Sequence, residues 1–125
     1  MHELSIAESI AEVAARHAAG RRVVSVEVRV GHLRQVVPDS LEFAFLLVTD
    51  GGALEGAELH IRHIPAAGRC RACSWAGEME GFPLRCACCE CLDVELTSGE
   101  ELLVDALVLE DETALNERTG YGSHL

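Results

Sequence analysis

CRACSWAGEMEGFPLRCACCEC, residues 70–91, holds all six cysteines of the chain. Cys70 and Cys73 form one C-x-x-C, and Cys86 with Cys89 forms another. Cys88 and Cys91 make an overlapping third, so two registers are open for the distal pair. Two thiolates three residues apart can grip one ion from a tight turn, and two such turns complete a tetrahedral site. A disulfide framework suits small secreted chains that lack a core, but cysteines confined to one stretch cannot staple the rest of the chain.

The remainder is long enough to fold without staples. With 125 residues, of which 49% are hydrophobic, the chain can build one domain and a small appendage. No run of about 18 apolar residues occurs, which excludes a membrane-spanning helix. The start, MHELSIAESI, carries early acid where a signal peptide has basic residues, so a cytoplasmic, reducing location is expected, in which free thiols serve metals or redox chemistry. Ten Lys plus Arg against 21 Asp plus Glu give a net charge of −11. Such a surface repels phosphate backbones, so nucleic acid is excluded as a partner; metal cations and basic protein surfaces suit it.

Hydrophobic periodicity orders the rest. Ile6, Ala7, Ile10, Ala11, Val13, Ala14 and Ala18 recur at helical spacing, and Gly20 is expected to cap that helix. Val24, Val26, Val28 and Val30 alternate with Ser25, Glu27 and Arg29, a strand with one buried face. After a loop containing His32, Pro38 and Asp39 open a second helix, with Leu41, Phe43, Ala44, Leu47 and Val48 as its apolar positions. Ala57, Leu59 and Ile61 alternate with Glu58, His60 and Arg62 in a second strand, on which His60 and His63 point to opposite faces. Residues 102–109 are a nearly continuous apolar strand interrupted by Asp105. The tail from Asp111 reads as a short helix followed by disorder. The fold class expected is therefore α+β: a small three-stranded sheet with two helices, plus an inserted zinc-ribbon-like knuckle module.

A second metal signal lies at Met1-His2-Glu3. A histidine in second position offers its imidazole, its backbone amide nitrogen and the amine of Met1 to one ion, a nitrogen set favoured by Ni(II) and Cu(II). Together with MHELSIAESI, the strand ending Val30-Gly31, the VPDSLEFAF helix start, EGAELHI, both cysteine pairs and SGEELLVDALVLE, this resembles the HypA/HybF family of nickel-incorporation proteins for [NiFe]-hydrogenase maturation. The resemblance runs from Met1 to about Glu110.

The resemblance implies a metallochaperone rather than an enzyme. Nickel, the delivered ion, would be held by Met1, His2 and Glu3, the last as an auxiliary residue, and structural zinc by Cys70, Cys73, Cys86 and Cys89. Partners would be the nickel-handling GTPase HypB, the hydrogenase large subunit and, in some members, urease accessory proteins, with the chain a monomer or a homodimer. The family pattern C-P-x-C-G-S, aligned through Asp93-Val94, favours Cys86 and Cys89 over Cys88 and Cys91. Ala87 stands where Pro is usual, and Glu90 where Gly is. The division implied is residues 1–65 as the first part of a nickel-binding domain, 66–95 as the zinc module, and 96–125 as the last strand of the nickel domain with the tail. Four cysteines leave no open position on a metal, so the thiolate site would be structural and the exchangeable ion terminal. Two other readings compete: a thiol oxidoreductase, disfavoured because its C-x-x-C belongs at a helix N-terminus, and a zinc-ribbon protein–protein adaptor that delivers no nickel.

Overall fold

A computed structural model describes residues 2–79, 83–110 and 119–124. Its elements run α1 (His2–Ala18), β1 (Val23–Gly31), a 3-10 turn (His32–Arg34), α2 (Pro38–Thr49), β2 (Glu58–Ile64), β3 (Ala67–Cys70), β4 (Ala76–Glu78), β5 (Val94–Ser98), β6 (Leu102–Leu109) and β7 (Thr119–His124). Two compact units result: Met1–Arg29, Val36–Arg62 and Leu102–Leu125 make one, Val30–Gln35 and His63–Glu101 the other. Among the described residues no helix is long and apolar enough to cross a membrane.

In the first unit, α1 buries Ile6, Ala7, Ile10, Val13, Ala14 and Ala18, the stripe its spacing predicts. It stops in two left-handed residues, Ala19 (φ 53°) and Gly20 (φ 87°), so the expected glycine cap has an alanine ahead of it. Helix α2 departs from its sequence reading. It buries Leu41, Ala44, Phe45 and Thr49, and leaves Phe43 and Leu47 exposed. The reason is that α2 carries large apolar residues on two faces, so spacing alone offers two stripes and packing chooses one. Thr49 is satisfied in the interior by donating its hydroxyl to the Phe45 carbonyl at 2.7 Å.

The sheet order is β2-β1-β6-β7. The three strands read from the sequence are all present, and β7 extends the sheet beyond them. That overturns the expected disorder for part of the tail: Thr119–His124 pairs antiparallel with β6, Leu103 opposite His124 and Leu107 opposite Thr119. Residues 111–118, where the short helix was expected, lie outside the described residues. Strand β1 is not one-faced either. Val26, Val28 and Val30 are buried as expected, but Val24 is 40% exposed and Ser25 only 8%. Strand β6 likewise buries Leu103, Val104, Ala106, Leu107 and Leu109, residues of both parities. A strand covered on both faces needs no alternation, which is why its sequence is a continuous apolar run. Asp105, the interruption, pairs with Arg29 at 3.1 Å.

The second unit carries its own sheet, ordered β4-β3-β5. Ala67, Gly68 and Arg69 face Glu78, Gly77 and Ala76 across β4, and Cys70 faces Val94 across β5. Gly31 is obligatory here: a Cβ would lie 2.1 Å from the Gly99 carbonyl oxygen. The Leu33 amide then donates to the Gly99 carbonyl at 2.8 Å, and Arg34 Nε to the Glu100 carbonyl at 2.8 Å, fixing the 3-10 turn on the β5–β6 connection.

Candidate metal centre

Cys70 ends β3, and the chain turns at once through Arg71, Ala72 and Cys73. The Ser74 amide donates to the Cys70 carbonyl at 3.0 Å, and the Cys70 amide to the Trp75 carbonyl at 2.7 Å. The distal turn repeats this bond for bond: the Glu90 amide donates to the Cys86 carbonyl at 3.0 Å, and the Cys86 amide to the Cys91 carbonyl at 2.9 Å. Ser74 and Glu90 occupy the same left-handed place, at φ 67° and 65°. Each leading sulfur also accepts two backbone N–H groups, Cys70 from Ala72 (3.3 Å) and Cys73 (3.4 Å), Cys86 from Cys88 (3.3 Å) and Cys89 (3.4 Å). Cys88 thus corresponds to Ala72 and Cys91 to Trp75, positions whose main chain closes the turn.

The ligand atoms of Cys70, Cys73, Cys86 and Cys89 all lie within 4.8 Å of one another. Cys70 and Cys89 sulfurs are 3.6 Å apart, and those of Cys73 and Cys86 3.5 Å. Four sulfurs each about 2.3 Å from one zinc ion are about 3.8 Å apart, so the donor set fits a tetrahedral metal. No cysteine is in a disulfide. Cys88 is exposed, and Cys91 accepts the Asp93 amide at 3.4 Å, outside the cluster. An Arg71–Asp93 ion pair at 2.9 Å and a bond from the Arg71 amide to the Asp93 carbonyl at 3.0 Å tie the first turn to the strand after the second.

The electrostatics split the four thiols in two. The Cys73 amide, working against burial and helped by the Ala72 amide, holds the Cys70 thiol below its ordinary value. Burial pushes Cys86 up, but the amides of Cys89 and Cys88 and the thiol of Cys73 outweigh it and bring Cys86 down to about 6. For Cys73 the Trp75 amide pulls down, yet the hydrogen bond shared with Cys86, burial and the other thiols push it up to about 12. Cys89 is raised too: the Cys91 amide pulls it down, and burial and its bond to Cys70 prevail. The leading cysteine of each turn is thus the one held down, because its sulfur faces two main-chain donors.

At the other candidate site, Met1 lies outside the described residues. His2 is exposed and is the first residue of α1. Glu3 is half-buried, and its Oε2 accepts the Val37 amide at 3.2 Å, at the residue that caps α2. That bond, ahead of smaller contributions from its own amide, His2 and the terminal amine and against burial, keeps the Glu3 carboxyl below the ordinary carboxylate range. Sequence spacing held no signal for this contact, which joins residues 34 positions apart. Nor did it pair His32 with His63, whose rings meet edge to face at 5.6 Å.

An α+β sheet-and-helix unit carrying a four-thiol module defines a class of metal-handling protein. The HypA family model, described as "Hydrogenase/urease nickel incorporation, metallochaperone, hypA", matches residues 1–109, and the chain belongs to that family. The hydrogenase maturation factor HypA of Geobacter metallireducens is 40% identical over 110 residues, covering 88% of this chain and 100% of that protein. Its counterpart from Geotalea uraniireducens is 41% identical over the same coverage. The solution structure of the Ni metallochaperone HypA from Helicobacter pylori shares the fold, with a TM-score of 0.62, 21% identity, and 87% of this chain and 97% of that one covered.

Proposed function

We propose that this chain carries Ni(II) on Met1, His2 and Glu3 and passes it into the [NiFe]-hydrogenase large subunit during maturation. The observation that carries the reading is the start of α1. The first four N–H groups of a helix have no partner within it, so a helix that opens at His2 leaves that residue's amide nitrogen free to join the imidazole and the Met1 amine on one ion. Exposure of His2 supports hand-over to a partner, and the Glu3–Val37 bond supports a charged carboxylate beside it. The nickel-handling GTPase HypB is the partner proposed for loading, and urease accessory proteins are a second destination.

Zinc is proposed as the resident ion of Cys70, Cys73, Cys86 and Cys89. Those residues would hold it in a closed cage, where it supplies cross-linking of the two turns and offers no open position for substrate. Titration calorimetry on the untagged, zinc-loaded protein tests the nickel assignment. His2→Ala should abolish high-affinity nickel binding while zinc content and thermal unfolding stay unchanged; retained nickel affinity in that variant sinks the terminal site and favours the adaptor reading. Residues added ahead of Met1 should weaken binding similarly, because they convert the amine to an amide.

A further inference from the structure

Helix α2 has two apolar faces, and the sheet-and-helix unit uses only one of them. Leu41, Ala44, Phe45 and Thr49 are buried. On the opposite side Phe43 is 63% exposed, Leu46 59% and Leu47 58%, with Val37 at 53% where the helix begins. Successive residues of a helix are about 100° apart, which puts residues 39, 42, 43, 46 and 47 on one stripe opposite the buried set, with Asp50 following as the C-cap. That stripe is apolar in its middle, at Phe43, Leu46 and Leu47, and acidic at both ends, at Asp39 with Glu42 and at Asp50, all exposed. Beside it a groove of about 470 Å³ is bordered by Glu42, Leu46, Glu58, Leu59 and His60, so acid also flanks the apolar floor laterally.

We infer that this face of α2 is a docking surface for an amphipathic helix of another protein, one with apolar anchors at helical spacing flanked by Lys or Arg. Three large apolar side chains on one helical stripe are the pattern by which a groove accepts a helix through i, i+3/i+4 and i+7 anchors. The charge selects the occupant. From Pro38 to Asp50 the chain has no Lys or Arg, so a second copy would set Asp39, Glu42 and Asp50 against themselves, on a chain whose net charge is already −11. A basic, apolar helix meets the same residues as counter-ions. The docked helix would lie on the element whose capping amide holds Glu3, next to His2.

The test uses a fluorescein-labelled synthetic helix with Leu at i, i+3, i+4 and i+7 and Lys elsewhere, titrated with zinc-loaded full-length protein and read by anisotropy and amide NMR. Expected are shifts centred on residues 43–47 and binding weakened about tenfold or more by Phe43→Ser with Leu46→Ser, the loss typical of central apolar anchors. Asp39→Asn with Glu42→Gln should weaken binding and flatten its salt dependence. Unchanged thermal unfolding shows that these exposed substitutions leave the fold intact. The inference is overturned if the wild-type protein does not bind the peptide, if the double serine variant binds it equally, or if a Leu-free Lys peptide binds as well, which would be charge attraction alone. It is also overturned if the wild-type protein sediments as a dimer that Phe43→Ser/Leu46→Ser dissociates, which would give the face to a second copy. None of these readouts involves nickel, so failure here and failure of the terminal nickel site are separable.

Discussion

Replacing Glu90 by glycine should strengthen metal binding at the cysteine cluster. Glu90 sits at φ 65° immediately after Cys89, where its amide closes the turn on the Cys86 carbonyl. A side-chain-bearing residue in that left-handed region costs about 1–2 kcal/mol relative to glycine. Glycine in turn gives the unfolded chain more freedom, which opposes the gain by about 0.4–1 kcal/mol. The difference centres on about 0.8 kcal/mol, and because the turn's folding and metal binding share one free energy, this becomes about fourfold in zinc affinity. Competition with a chromophoric chelator measures it. Ser74→Gly should act alike, since Ser74 holds the same place at φ 67°, and the two changes should multiply to about fifteenfold. Glu90→Ala is the discriminating control, for it removes the charge and keeps the Cβ. Should Glu90→Ala tighten zinc as much as Glu90→Gly, the relief comes from moving a carboxylate away from a thiolate cage, and the backbone argument fails.

Three further outcomes are expected. Gly31→Ala forces a Cβ to 2.1 Å from the Gly99 carbonyl oxygen and 2.7 Å from the Glu100 nitrogen, so it should destabilise the fold by at least about 1–3 kcal/mol in urea melts. Phe45→Ala should cost about 3–5 kcal/mol because Phe45 is 1% exposed, whereas Phe43→Ala, at a residue 63% exposed, should leave the urea midpoint almost unchanged. The Glu3 carboxyl is depressed in the folded state, so its bond to Val37 contributes stability above the ordinary carboxylate pKa of about 4.3 and loses it as pH falls through the lower folded value. The Val37 amide proton should accordingly shift with an acidic midpoint below that value, and Glu3→Gln should abolish the titration.

Helix α1 was legible because its apolar residues occupy one stripe and polar residues the rest. The same test misread α2, where Phe43 and Phe45 are both apolar and only the packed structure chooses Phe45. Strand β7 left no trace in the sequence: Thr119–His124 joins β6 by backbone pairing, which asks for no alternation of side chains. The short strands β3, β4 and β5 escaped for a similar reason, being three to five residues long with glycines at their close approaches. The cysteine spacing indicated the metal cluster but left the distal register to family resemblance. The geometry groups Cys86 and Cys89 with Cys70 and Cys73, and gives Cys91 the backbone role that Trp75 has in the first turn.

The bond-for-bond likeness of the two cysteine turns has a consequence for how this protein can diverge. What folds each turn around its sulfurs is main chain: two N–H groups on the leading thiol and two carbonyls that close the loop. Arg71 reaches across to Asp93, whereas the side chains at positions 72, 87 and 88 are exposed and take no part in these bonds. Their identities can drift, acquire charge or even become spare thiols, as Cys88 has, without altering the cage. The module is thus a fixed frame with an editable exterior, able to change what it touches while keeping what it holds.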